Sequence, residues 1–261
     1  MSPRNLLLSL ALVVPTSGSG ASAAGADEPV LGEELVGRWA HYDVVAYEDE
    51  AFGTLIVSYG FNDLGIEGGR LIDRASFCWS EQVSDQPFES SLSDAATQAI
   101  RPPATPLTVE EVDGVLRISR PPTPTPIGIR LDDPATEPLP SDPEDPRVVD
   151  DDGDGEPGVT VSIDIGAGIV GEIYIARREI FEYEATQVEP DLLTGTVTDT
   201  SEQLVIGANN PLFLASEADW VQHPDPEKSF IVLRRVADDW DCDRLRSERD
   251  ELFPPNPEVD W

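Results

Sequence analysis

Basic charge is what this chain most lacks. Lys228 is its sole lysine, and 17 lysines and arginines stand against 51 aspartates and glutamates, a formal net charge of -34. A surface this negative repels phosphate backbones and anionic headgroups, so nucleic acid is set aside. Cations or a basic protein partner are its natural counterparts, and acidity that simply keeps an exported protein soluble is the plainer reading. Histidine is scarce as well, with only His41 and His223. No G-x-S-x-G, H-E-x-x-H, glycine-rich phosphate loop or S-x-x-K follows residue 23. That removes the residue sets for a nucleophile elbow, a zincin site or a nucleotide cradle. Long apolar runs are absent, and nothing approaches the ~20 apolar residues of a membrane span. Cysteine stops at Cys78 and Cys242. Neither has a neighbouring histidine and there is no C-x-x-C, which favours one disulfide, in an oxidising compartment, over a metal pair or catalytic thiol.

The N-terminus agrees with such a compartment. Arg4 supplies positive charge, residues 6–14 are apolar except for Ser9, and small residues fill 17–26, the layout of a secretory signal peptide. Ala21-Ser22-Ala23 places cleavage after Ala23. The expected organisation is a signal peptide (1–23), a leader (24–34), one domain (35–253) and a tail (254–261), in a protein that is secreted or periplasmic.

What the chain does have is strand signal. Segments 36–47, 54–59, 70–79, 115–119, 127–131, 159–165, 169–183, 194–206 and 230–236 are rich in β-branched and aromatic residues. Clusters of Gly, Pro, Asn or Asp part them. Many short strands without long helices between them predict an all-β fold, an antiparallel up-and-down barrel or a sandwich. Two helices are expected. One covers 92–100, capped by Ser91 or Ser93 and stopped by Pro102; the other, over 239–252, carries Cys242 in its first turn. Residues 121–126, P-P-T-P-T-P, read as a stiff connector between strands. The Asp/Glu-Pro alternation of 132–146, running on to 158, reads as a solvated acidic loop.

That loop ends in the most specific motif of the chain. Asp150, Asp152 and Asp154 alternate and Gly155 follows at once, the D-x-D-x-D-G start of a calcium loop. Calcium takes six to eight oxygens, which alternate carboxylates on a curling backbone bring to one point. Position 12, a bidentate glutamate in a full EF-hand, is Val161, and a strand segment follows instead of a helix. The loop therefore looks like the calcium loops of thrombospondin type 3 repeats. Glu156, Asp164 or an upstream acid would complete the shell, with affinity in the ~10⁻⁴–10⁻³ M range of extracellular modules. The expected role of calcium is a structural clip.

Other groupings carry two readings each. His41 and Asp43 stand two apart on one strand and share a face, where they could act as a base and its orienter, but no nucleophile can be assigned to them. His223 reads as a loop residue. Arg74, Arg177 and Arg178 sit inside apolar strands; turned inward they could grip an anion, turned outward they would pair with surface acids. Among so many acids no catalytic carboxylate pair stands out.

Gly37-Arg38-Trp39, opening the first strand after a short acidic leader, resembles the Gly-x-Trp signature of lipocalin-like barrels, where the Trp closes the barrel floor. A helix after the last strand is similar to that architecture too. The resemblance implies a barrel with a small apolar ligand. Residues 131–161, with Leu139-Pro140, Asp145-Pro146-Arg147-Val148 and the acidic loop, resemble a set of secreted proteins from myxobacteria and their relatives, a likeness that implies no activity. The expectation is an exported, calcium-stabilised, non-enzymatic binding or envelope-associated β-barrel. A secreted carboxylate-based hydrolase and an acidic interaction module are the alternatives.

Overall fold

The computed structural model describes residues 30–48, 52–214 and 221–260, so the predicted signal peptide lies outside the described residues. Period-two alternation dictates the architecture. In β1 (Gly37–Glu48), Trp39, Val45 and Tyr47 join one apolar cluster, while Ala40, Tyr42, Val44 and Ala46 join another on the opposite face. Both faces are buried, and the polar residues in the middle of the strand, His41 and Asp43, are buried with them. β2 (Gly53–Glu67) and β3 (Arg70–Ser84) continue it as a meander. The remaining strands are β4 (Glu89–Leu92), β5 (Thr105–Pro106), β6 (Thr108–Val112), β7 (Val115–Ile127), β8 (Val159–Asp164), β9 (Val170–Glu189), β10 (Leu192–Asp199), β11 (Glu202–Ala208), β12 (Val221–Gln222) and β13 (Phe230–Val236).

These strands form one antiparallel sheet whose main path is β4-β8-β9-β10-β13-β1-β2-β3-β5. β9 is long enough to serve two sets of neighbours, β8 and β11 along its first half, β7 and β10 along its second. The sheet curls into a half-barrel, an all-β up-and-down fold. Its concave face is closed at one end by Leu35, Trp39, Leu64, Leu71, Leu193 and Leu233. Trp39 is fully buried, donates its indole N–H to the Leu35 carbonyl at 2.8 Å, and lies 4.3 Å under the Arg235 guanidinium.

The two helices are short. α1 (Asp94–Gln98) is capped by the Ser93 hydroxyl, and α2 (Cys242–Leu252) by the Asp241 carboxylate. α2 lies on the convex face, where Leu245 and Phe253 pack against Tyr42, Tyr59 and Trp79. Cys242 is joined to Cys78 of β3 across a Cα–Cα distance of 5.4 Å. No described helix is long and apolar enough to cross a membrane.

The Pro-rich connector is a departure from expectation. Residues 121–126 continue β7 and pair with β9, Thr123 opposite Phe181 and Thr125 opposite Glu179, after a register shift between Arg120 and Thr123. Proline lacks an N–H, so it suits a strand edge without a partner. β6 pairs only as far as Ser119, leaving that edge free where the prolines fall. Alternation does the rest: Thr123 and Thr125 are buried among the prolines. The acidic loop is also less loose than its composition suggests. Arg147 pairs with Glu137 and Asp145, and Leu131, Leu139 and Val148 pack on Ile129, Tyr174 and Ile206.

Candidate functional site

Strand parity decides what the concave face presents. On β1 the inward positions after Trp39 are His41, Asp43, Val45 and Tyr47; on β9 they include Arg177, Glu179, Phe181 and Tyr183. Above the apolar plug this produces a polar layer and then an open cavity.

The polar layer centres on Asp73, which is fully buried. It accepts from Arg120 Nη1 at 2.6 Å, from Asn62 Nδ2 at 2.9 and 3.0 Å and from Tyr183 Oη at 3.1 Å. With its amide N–H groups committed to Asp73, Asn62 turns its Oδ1 to His41 Nδ1 at 2.9 Å, so that ring nitrogen carries the proton. Burial lowers the His41 pKa to about 4, against the Asn62 hydrogen bond and with help from the Arg120 charge. The imidazole is neutral and sits over Gly60, where a Cβ would come within 2.7 Å of His41 Cε1 and 2.1 Å of the Ser76 carbonyl. Only glycine fits there. His41 Nε2 faces Asp43 Oδ2 at 3.7 Å, and neither atom has a hydrogen-bond partner.

Asp43, only 3 % exposed, stands where the polar layer meets the cavity. Burial, with the charges of Glu179 and Asp199, raises its pKa well above the usual carboxylate range, opposed by a hydrogen bond from Ser58. Glu179 accepts from Arg177 Nε at 2.6 Å, and Asp199 accepts from Tyr47 Oη at 2.9 Å and from the Ser201 backbone N–H at 2.6 Å. Burial and Asp199 raise Glu179 against the pull of Arg177. These groups floor a cavity of about 1510 Å³, whose flank is apolar: Phe88, Leu92, Ile100, Ile127, Val161 and Ile163.

The acidic loop lies apart from this floor. Ligand oxygens of Asp150, Asp152 and Asp154 all fall within 4.8 Å of one another. Asp150 shapes the turn by accepting from the backbone N–H groups of Gly153, Asp154 and Gly155 at 2.6, 3.2 and 2.9 Å. Asp152 Oδ2 accepts from Thr160 N at 3.0 Å while its buried Oδ1 has no partner. Burial, then the charges of Asp154 and Asp150, raise its pKa. Glu156 and Asp164 are not in that group of three. Glu156 reaches toward Tyr174, and Asp164, at the far end of β8, caps the Gly166 N–H. The loop ties strand ends together, since Asp151 accepts from Gly128 N just after β7 and Asp152 from Thr160 at the start of β8.

Of the other sequence candidates, His41 and Asp43 do share a face. Arg177 turns inward and Arg178 outward, to Glu202 and the Glu137 carbonyl. Arg74 pairs with Glu67 at the surface, and His223 is 3.7 Å from Glu48. Glu179, Asp199, Tyr47 and the Asp73 layer were not singled out by sequence. Their signal is a charged residue at an inward position of an otherwise apolar alternation, such as Arg177 and Glu179 between Ile175 and Phe181. No family model, curated protein or solved structure matches this chain.

Proposed function

We propose that this is an exported, non-enzymatic binding protein that holds a small organic molecule in its half-barrel cavity. The observation that carries this reading is the open cavity of about 1510 Å³, with an apolar flank and a polar floor. Ligand sites combine a mainly apolar lining with a few convergent polar groups in this way. The Gly37-x-Trp39 resemblance to lipocalin-like barrels supports it. One observation favours a carboxylate hydrolase instead, the raised carboxyl of Asp43 beside neutral His41. Native mass spectrometry of protein purified from its own host separates the two. Binding predicts an intact retained molecule, hydrolysis predicts its fragments, and a bare polypeptide mass sinks both.

We further propose that the acidic loop holds calcium as a clip. Three carboxylates within 4.8 Å repel one another unless a cation joins them, and the unpartnered Asp152 Oδ1 is a ready ligand. Through Gly128 and Thr160 the clip would brace Ile127 and Val159, both in the cavity wall. At the ~10⁻⁴–10⁻³ M affinity expected, about 1 mM calcium stabilises by about 0.4–1.4 kcal/mol. The expected result is a melting temperature higher by a few degrees, with the gain abolished in Asp152→Ala. Identical melting curves with calcium and with chelator would remove the clip.

A further inference from the structure

We propose that the cavity selects an organic cation: an amine on an apolar body, its ammonium seated among Asp43, Glu179 and Asp199. The inference rests on the binding reading above and names the chemistry of the ligand. Charge is the support. Asp43, Glu179 and Asp199 floor the cavity, Glu89, Asp164 and Glu172 also line it, and Arg177 is the one lysine or arginine among the described lining residues. Arg177 is already engaged, with Nε on Glu179 and Nη1 3.3 Å from Gln203 Oε1. An anionic headgroup would meet carboxylates with no free guanidinium to receive it.

Hydrogen bonding at the floor is consistent with the charge. The floor's donors are spent on its own acceptors: Tyr47 Oη and Ser201 N serve Asp199, and Arg177 serves Glu179. Asp43, 3 % exposed, lines the inner end of the cavity with its Oδ2 turned toward His41 Nε2 at 3.7 Å and without a hydrogen-bond partner. Gln82 Nε2 is a lining donor that also lacks one. An ammonium offers three donors and a positive charge, so it complements three clustered carboxylates better than a neutral hydroxyl or an anionic carboxylate does. The apolar flank from Phe88 to Ile163 receives the body of the ligand. The net charge of -34 concentrates cations near the opening before they enter.

Proton linkage follows. The groups around Asp43 are His41 on its own strand, Arg120 from β7 with its partner Asp73 from β3, Arg177 and Glu179 from β9, and Asp199 from β10. Burial and the two neighbouring carboxylates favour the protonated form of Asp43, so an arriving ammonium displaces a proton and affinity rises with pH.

The test is isothermal titration calorimetry of the mature protein in calcium with octylamine, octanol and octanoate, which share a chain and differ in head group. Octylamine should bind at least about tenfold more tightly than either partner. Repeating the titration in buffers of different ionisation enthalpy should reveal protons released on binding. Asp43→Asn and Glu179→Gln should each erase most of the preference for the amine. Asp43→Asn should leave the melting temperature unchanged, since a neutral amide replaces a carboxyl that is protonated before the ligand arrives, so a lost preference cannot be read as unfolding. Equal or tighter binding of octanol or octanoate overturns the cation inference and leaves the cavity reading standing. If no probe binds, the cation inference fails, and a bare mass from the host protein then removes the cavity reading as well.

Discussion

Replacing Arg120 with methionine is expected to destabilise the protein by about 3–5 kcal/mol, read as a fall in the urea midpoint at unchanged slope. Arg120 and Asp73 form an ion pair at 2.6 Å with side chains 1 % and 0 % exposed. Methionine removes the positive partner and strands a carboxylate that only Asn62 and Tyr183 still serve. The cost is that of an unpaired buried charge, which far exceeds the net worth of the pair. Its position adds to the effect. β3 ladders only with β2 and the two residues of β5, whereas β7 ladders with β6 and β9. Asp73 and Arg120 therefore span, through side chains, a seam that no backbone ladder between β3 and β7 closes. Adding Asp73→Asn to Arg120→Met should restore at least half of the loss, because the stranded charge is gone. A single-variant loss below about 1 kcal/mol would mean that the seam is held by other contacts.

How far the sequence could be read depended on whether the signal was local. Alternation in 37–47 and 169–183 is a property of neighbouring residues, and the strands appeared there. The same holds for the caps at Ser93 and Asp241, and for Asp150, Asp152 and Asp154, which converge because a single turn brings them together. Composition misled at 121–126, where proline content suggested a connector. Which edge of β7 lacks a partner is a fact of topology, invisible from the residues themselves. The cavity floor was hidden for a related reason. Tyr47 meets Asp199 across 152 residues and Tyr183 meets Asp73 across 110, and no short window contains both partners. Moreover, 51 acidic residues give each carboxylate the same appearance in sequence. Burial alone singles out Asp43, Asp73 and Asp199, and burial needs the curl of the sheet. Parity would have separated Arg177 from Arg178, since consecutive strand residues face opposite sides.

Removing the disulfide is expected to cost as much as breaking the buried ion pair. Cys78 and Cys242 are 164 residues apart, and in the chain-entropy account a loop of that length is worth about 5 kcal/mol. Native contacts indicate why the helix needs this tether. α2 is eleven residues long and mostly charged, and Leu245 is its only residue that is fully buried, worth roughly 2 kcal/mol. A helix this short is marginal alone. Its further hold on the sheet comes from Arg249, which donates to Tyr59 Oη at 3.0 Å, and from Arg246, 4.7 Å above the Trp79 ring. Single contacts of this kind contribute about 1 kcal/mol each. The Cys78→Ser/Cys242→Ser variant should therefore lose about 3–5 kcal/mol in urea unfolding, and reduction of the wild-type protein should produce a loss of the same size. The release should also be local at first. Amide exchange should speed up in α2 and in the outer-face residues it covers before it does in β9 and β10. Because the helix packs on the convex face, opposite the cavity, the reduced protein should keep its ligand while it stays folded. An unchanged urea midpoint on reduction would mean that the packing of α2 alone suffices to hold the convex face closed.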